Sequence, residues 1–248
     1  MKLVYSSIQI ELTRRCNQNC LHCCRGDSEP LELSNDTIDA LFDNNDIAII
    51  RSLKFSGGEP TLNGSALEYL VNKIIDKRIE VNSFMLSING TVYDDVFANA
   101  LIKLNDYCGS YSNHSNDKHG ILYVSQSQYH NKPIEEVMNR FSQLPFFIVP
   151  NGIEKIANEN LLPYGNAIKN NLTIKEPDIS GITNNKDIKV VEYEGQTYQV
   201  FEYQYISSNG NVLNDGCMSY DMMDKYSVGN VNGQSITDMY KSKILEYK

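Results

Sequence analysis

The chain has 248 residues, 41% hydrophobic and 21% charged, with a formal net charge of −9. This is an ordinary composition for a globular protein with one good-sized core, or one domain and a modest appendage. It argues against a nucleic-acid surface, which needs a basic stripe, and no apolar run reaches the about 20 residues of a membrane-spanning helix.

Residues 1–12 read as a strand in which Ile8, Ile10 and Leu12 alternate, running straight into a loop with Cys16, Cys20 and Cys23. Ser34 is placed to cap a helix carrying Ile38, Leu41 and Phe42. Residues 47–55 form the second predicted strand, which ends in Gly57-Gly58-Glu59-Pro60. A helix follows with Leu67, Leu70, Val71, Ile74 and Ile75 on one face. The third strand, 81–88, ends in Asn89-Gly90 and leads to a helix with Val92, Val96, Phe97, Ala100 and Leu104. Cys108 falls in the loop before a fourth strand at 121–124. Pro133 suits a helix start, Ile134, Val137, Met138 and Phe141 form that helix's buried stripe, and Pro145 ends it. Residues 146–149 make a fifth strand and 172–174 offer a sixth.

The character changes from about Asp187. Residues 189–193 and 198–201, joined by Glu194-Gly195-Gln196, read as a hairpin. Ser208-Asn209-Gly210-Asn211 signals a second turn, and an amphipathic end carries Ile236, Met239, Tyr240 and Ile244. Strands alternating with amphipathic helices predict an α/β fold with a parallel sheet and right-handed crossovers. Each candidate functional segment follows a strand, and in a parallel α/β barrel those ends converge on one face.

The C-x3-C-x2-C spacing of Cys16, Cys20 and Cys23 lets one loop wrap a face of a 4Fe–4S cluster. Clusters that only shuttle electrons take protein ligands on all four irons. Three cysteines leave one iron open to bind substrate or cofactor, as in open metal sites generally. The main competing reading is zinc on Cys16, Cys20, His22, Cys23 and Cys24. Structural zinc sites gather ligands from two separated pairs, however, and no second pair follows. Disulfides are disfavoured because no signal peptide precedes the cysteines, and a cytoplasmic location is expected. Cys24 reads as a bystander thiol. Arg14, Arg15 and Arg25 flank the cysteines, where they counter a cluster's charge, meet an anionic partner or simply form a solvated loop. The sequon Asn113-His114-Ser115 carries no message in so asparagine-rich a chain.

CNQNCLHC at 16–23 followed by GGEP at 57–60 resembles the radical S-adenosylmethionine (radical SAM) superfamily, with His22 where an aromatic residue usually precedes the third cysteine. The resemblance implies a partial (β/α)6 TIM-type barrel open on one side, and one 4Fe–4S cluster on Cys16, Cys20 and Cys23. It also implies S-adenosylmethionine chelated to the open iron and cleaved, after reduction by a flavodoxin or ferredoxin, to methionine and a 5′-deoxyadenosyl radical. The cofactor carries the hard chemistry, while the protein positions it and excludes solvent. Gly57, Gly58, Glu59 and Pro60 would bind the amino group of the methionine moiety, the glycines clearing room for backbone approach. Ser87 and Asn89 would turn polar groups toward the cofactor, and Ser125 and Gln126 would meet its ribose or carboxylate. Residues 124–130 resemble a Ser-x-Asp-x-Tyr/Phe-His stretch of a subset of the family, with Ser127 replacing the aspartate and His130 either facing substrate or structural. Residues 162–167 resemble that subset's Pro-x-Gly-Arg-Ala stretch beneath the adenine, with Asn166 replacing arginine.

Residues 181–248 resemble the SPASM or twitch extensions of peptide-modifying radical enzymes, appended here to a barrel at 1–180. Those extensions hold auxiliary clusters on further cysteines. Only Cys217 stands in this part of the chain, so one cluster is expected. Cys217 reads as a hydrogen-atom donor to a substrate radical or as a buried structural thiol, with Cys108 a weaker candidate. The expected activity is that of a radical SAM oxidoreductase or maturase abstracting hydrogen from a peptide or peptide-like substrate, with epimerisation or cross-linking as outcomes. The chain as read has no further N-terminal domain for the leader of a large precursor. The alternatives are a small metabolite, activation of a glycyl-radical protein, and, in different classes, a non-catalytic zinc or iron–sulfur module or an electron-transfer protein.

Overall fold

The computed structural model describes residues 1–111, 119–148, 152–178 and 188–241. Asn113-His114-Ser115, Val149, Asp187 and Ile244 lie outside the described residues.

Each of the first three predicted strands is two strands. They are β1 (Lys2–Tyr5) and β2 (Ile8–Glu11), β3 (Ile47–Ile50) and β4 (Leu53–Ser56), and β5 (Glu80–Val81) and β6 (Phe84–Ile88). A polar pair separates the members each time: Ser6-Ser7, Arg51-Ser52 and Asn82-Ser83. Hydrogen bonds carry the pairing across the bends, with Arg51 N donating to Tyr5 O at 2.9 Å and Leu53 N to Ser83 O at 2.9 Å. The same break recurs near the C-terminus, between β10 (Gln196–Phe201) and β11 (Gln204–Ile206). Hydrophobic periodicity runs through a two-residue bend, so the sequence alone reads each pair as one strand.

The first halves, with β9 (Ile188–Tyr193), build a five-stranded sheet in the order β5-β3-β1-β10-β9. The second halves join β7 (Gly120–Val124), β8 (Phe147–Ile148), β12 (Asn211–Leu213) and β13 (Gly229–Asn230) in an eight-stranded sheet. Its order is β13-β12-β11-β2-β4-β6-β7-β8, and the run from β11 to β8 is parallel throughout. This is a partial, unclosed TIM-type barrel. Its sixth parallel strand is β11, beside β2. Residues 172–174 are coil, with Ile174 98% exposed, which corrects the expected sixth strand. Local β-propensity there finds no apolar face to bury.

Helix α1 (Asn35–Asp43) is capped by Ser34, whose side chain accepts from Thr37 N, as expected. A 3-10 turn (Pro60–Asn63) precedes α2 (Gly64–Asp76), whose Leu67, Leu70, Val71 and Ile74 face the core. In α3 (Asp95–Gly109), capped by Asp94, Phe97, Ala100 and Leu104 are buried but Val96 is exposed and Val92 precedes the helix. Cys108 belongs to this helix and is fully buried, a correction to the predicted loop. Helix α4 (Glu135–Phe141) starts after Pro133, and Ile134, at its N-cap, is 49% exposed where a buried position was expected. Short helices α5 (Gly165–Lys169), α6 (Tyr220–Lys225) and α7 (Ile236–Met239) follow. The β9–β10 hairpin is antiparallel, and its two turn residues, Glu194 and Gly195, have φ of 49° and 75°. That is the twist of a type I′ turn, which asks for glycine. No helix among the described residues is long and apolar enough to cross a membrane.

Candidate active site

The cysteine loop and the GGEP loop leave adjacent parallel strands, β2 and β4, and are stapled to each other. Gly58 N donates to Thr13 O at 2.7 Å and Glu59 N to Arg15 O at 2.8 Å. A Cβ on Gly57 would stand 2.4 Å from Thr13 O, and one on Gly58 2.3 Å from Arg15 O. Both glycines therefore admit the backbone that leads into the cysteines, a close approach that a side chain forbids.

Glu59 is 1% exposed. Its Oε1 accepts from the Thr61 hydroxyl at 2.7 Å and Thr61 N at 3.2 Å, and its Oε2 from Asn89 N at 2.8 Å. Burial pushes its carboxyl up, and these hydrogen bonds oppose the shift. Glu59 thus ties the end of β4 to the end of β6. The Asn89 side chain continues the tie by donating to Asn17 Oδ1 at 2.7 Å, inside the cysteine loop. Ser87 and Ser125, at the ends of β6 and β7, share a short hydroxyl–hydroxyl hydrogen bond.

These segments surround one cavity of about 570 Å³. Cys16, Cys20 and Cys23 line it together with His22, Gly57, Gly58, Glu59, Pro60, Ser87, Asn89 and Ser125. Gln126 and Cys217 are not among its lining residues. The Gln126 carbonyl accepts from Glu154 N at 3.0 Å. Cys217 is exposed, and its N–H donates to Asp215 at 2.8 Å. Cys24, expected as a bystander, does line the cavity, as do Gln9, Gln18 and Lys54. Gln9 and Lys54 alternate with buried apolar neighbours, a pattern that a solvent-facing strand shares, so the sequence did not mark them as cavity residues.

Three half-buried free thiols share this cavity wall. Burial raises the Cys16 thiol and, with the charges of Cys23 and Cys16, pushes Cys20 up to about 11. A cation drawn against Cys16 and Cys20 opposes that shift and favours their thiolates. Gln18 N points at Cys16 Sγ at 3.4 Å, as backbone donors do around cluster sulfurs. His22 Nδ1 and Gln18 Nε2 are buried on this wall without hydrogen-bond partners among the described residues. Among the described residues no group of three or more His, Cys, Asp and Glu is gathered to hold a metal ion. A cuboidal cluster presents its irons at separate corners, so its cysteines need not meet at one point. The donor set fits such a cluster.

Further contacts hold the loop in place. His22 stacks on Tyr129 at 4.9 Å and meets His130 edge-on at 4.7 Å. His130 lines the cavity, its Nδ1 accepting from Ser127 N at 3.1 Å. Asn166 N donates to Cys23 O at 2.8 Å, and a Cβ on Gly165 would lie 2.5 Å from Gly26 N and 2.7 Å from Cys23 O. Most of the stretch expected beneath the adenine thus buttresses the cysteine loop, while Leu162 at its start lines the cavity.

Among the described residues none of the three arginines hydrogen-bonds Cys16, Cys20 or Cys23, while the charge of Arg25 reaches Cys24 and Cys217. Arg14, 1% exposed, pairs with Glu11 at 3.1 Å, Glu29 at 2.9 Å and Asp224 at 2.9 Å. Glu11, itself fully buried, also accepts from Tyr205 and Ser208. Arg25 donates to the carbonyls of Gly216 and Met218 and lies over the Tyr205 ring. Arg15 pairs with Glu32 at the surface. Two of the three therefore tie the cysteine loop to the C-terminal third, correcting the reading of a solvated or cluster-facing trio.

The fold is similar to that of anSMEcpe. Its structure with bound AdoMet and Cp18Cys peptide aligns at 13% identity over 97% of this chain and 80% of that chain, with a TM-score of 0.53. The tagged protein with bound AdoMet aligns at 15% over 95% and 80%, also at 0.53. Streptococcus suis SuiB bound to precursor peptide SuiA aligns at 13% over 94% and 64%, at 0.42. A comparison with curated proteins gave no match. The sequence model of the radical SAM superfamily matches residues 10–153, which takes in the cysteine loop, GGEP and the ends of β6 and β7. The chain belongs to the radical SAM superfamily, whose enzymes use a 4Fe–4S cluster and S-adenosylmethionine.

Proposed function

We propose that this radical SAM enzyme acts as an oxidoreductase or maturase on a peptide or peptide-like substrate, abstracting a hydrogen atom from it. Cys16, Cys20 and Cys23 hold the cluster, and the GGEP loop with Ser87, Asn89 and Ser125 receives S-adenosylmethionine. Bound there, the two groups supply hydrogen-abstracting radical chemistry. The protein's part is to fix the thiols on one wall, keep polar strand ends opposite them and exclude water. The observation that carries the reading is the convergence of these segments on one cavity at the C-terminal ends of the parallel strands.

Residues 1–180 carry the cofactors; 181–248 are read as an extension without its own cluster, although its strands β10 and β11 lie inside both sheets and β11 is the barrel's sixth parallel strand. The likeness to anSMEcpe, described with a bound peptide and spanning 97% of this chain, supports a peptide as substrate. Anaerobic reconstitution tests the reading. About four irons per chain and reductive formation of 5′-deoxyadenosine are expected, with deuterium passing from a labelled peptide into that product. Bound zinc without cleavage refutes the enzyme, and deuterium transfer from a small metabolite but from no peptide refutes the substrate class.

A further inference from the structure

The cavity reaches below the loops into the barrel. Gln9 on β2 and Lys54 on β4 are register partners, and Lys54 is in turn paired with Met85 on β6. All three line the cavity. Ser56, two residues further along β4, and Ser87, two further along β6, line its upper part. At about 3.3 Å per residue, the Gln9–Lys54 layer lies roughly 7 Å nearer the barrel floor.

Among the described lining residues Lys54 is the one lysine or arginine, and Glu59 the one acid. Both Glu59 oxygens are occupied by Thr61 and Asn89. The Lys54 ammonium makes no hydrogen bond or ion pair with a described residue; it lies 6.0 Å from the centroid of the Tyr203 ring, and its charge also reaches Cys217. The Tyr203 hydroxyl donates to Gln9 Oε1 at 2.9 Å, which orients the Gln9 amide. The Gln9 NH2 group makes no hydrogen bond to a described residue. Two donors, an ammonium and an amide, therefore stand side by side on neighbouring strands, where paired side chains lie about 5 Å apart. Both side chains are half-buried on this wall, and a carboxylate that accepts from the ammonium and the amide together gains charge-assisted hydrogen bonds.

We propose that Lys54 and Gln9 form a carboxylate-binding subsite on the barrel floor, which anchors an acidic side chain or the C-terminal carboxylate of the substrate. This deepens the peptide reading and rests on it. Anchoring there leaves the rest of the substrate to climb toward the cluster wall, so Lys54 selects the substrate and sets which carbon is presented.

The test uses the reconstituted holoenzyme with S-adenosylmethionine and isothermal titration calorimetry, with N-acetyl-glutamate and its neutral diamide as probes. The acid is expected to bind at least about tenfold more tightly than the diamide. Lys54→Met removes the preference and Lys54→Arg retains it, while Gln9→Met weakens the acid alone. Equal binding of acid and diamide, no binding of either, or a preference that survives Lys54→Met overturns the subsite. A tenfold loss of S-adenosylmethionine affinity in Lys54→Met, with the probe preference intact, assigns the anion to the cofactor and also overturns it. Failure of the peptide reading looks different: the acid preference persists, but only non-peptide acids transfer deuterium into 5′-deoxyadenosine.

Discussion

Gly58→Ala is the sharpest perturbation of the staple between the two signature loops. Its new methyl would lie 2.3 Å from Arg15 O, 2.6 Å from Arg15 C and 2.8 Å from Arg14 O. All three atoms are backbone, so no side chain can swing away. Restoring ordinary contact parts the two strands of chain by about 1 Å, in an interior too densely packed to absorb the shift. The hydrogen bonds of 2.7 Å from Gly58 to Thr13 and 2.8 Å from Glu59 to Arg15 then pass out of range. Overpacking costs about 1–3 kcal/mol and each lost hydrogen bond about 0.5–1.5, giving roughly 2–6 kcal/mol in total. Set against a domain stability of about 5–15 kcal/mol, the variant folds at a large loss. Urea denaturation of the protein before reconstitution reads the stability, while iron content and S-adenosylmethionine affinity read the site. Both are expected to fall, with affinity down at least about tenfold as the GGEP loop leaves its place. Gly233→Ala is the control, since its nearest atom would be Asn230 O at 3.8 Å, and it should stay within about 0.5 kcal/mol. A Gly58→Ala protein with native stability, iron and affinity would refute the close-approach argument.

Replacing Cys16, Cys20 or Cys23 by alanine is expected to abolish both iron binding and cleavage of S-adenosylmethionine. Cys108→Ala and Cys217→Ala should retain the cluster's absorbance, and its loss in Cys217→Ala would overturn the one-cluster assignment. Arg14→Leu strands the buried Glu11 carboxylate and should cost about 3–5 kcal/mol by denaturation, a size that an exposed pair does not reach. Burial pushes the Asp224 carboxyl up, but the hydrogen bonds and charge of Arg14 outweigh it and hold it below the usual carboxylate range. Its contribution is therefore present above the unfolded value of about 3.9 and is lost as pH falls through the lower folded value. Asp224→Asn should flatten the acid limb of the stability profile, and an unchanged limb would contradict the pairing. Glu59→Gln turns an amide NH2 toward one of the donors that the carboxylate now accepts. It should cost about 1–3 kcal/mol and loosen the third strand end, visible as faster hydrogen exchange at Asn89 N.

The sequence by itself determined the family and the chemistry. Cysteine spacing and GGEP are local facts, and thiolate chemistry needs nothing beyond them. The helices with strong 3.6-residue patterns and the β9–β10 hairpin were legible for the same reason, because caps, turns and one-sided burial are written within a dozen residues, though the turn proves to be the two residues Glu194 and Gly195, with Gln196 opening β10. The tertiary structure decided what depends on distant partners. Periodicity cannot see a two-residue bend, so three apolar stretches hid six strands in two sheets. Residues 172–174 have strand propensity but no edge to join, while β11, some 30 residues later, pairs with β2 because its apolar face is buried there. The glycines of GGEP look like room for a cofactor in sequence, and in space they admit Thr13 and Arg15. Arg14 and Arg25 look exposed beside the cysteines, yet their partners, Asp224 and the carbonyls of Gly216 and Met218, lie about 200 residues away in the chain. Which charge stands unpaired in a cavity is a sum over every neighbour, and so Lys54 emerged only from the fold.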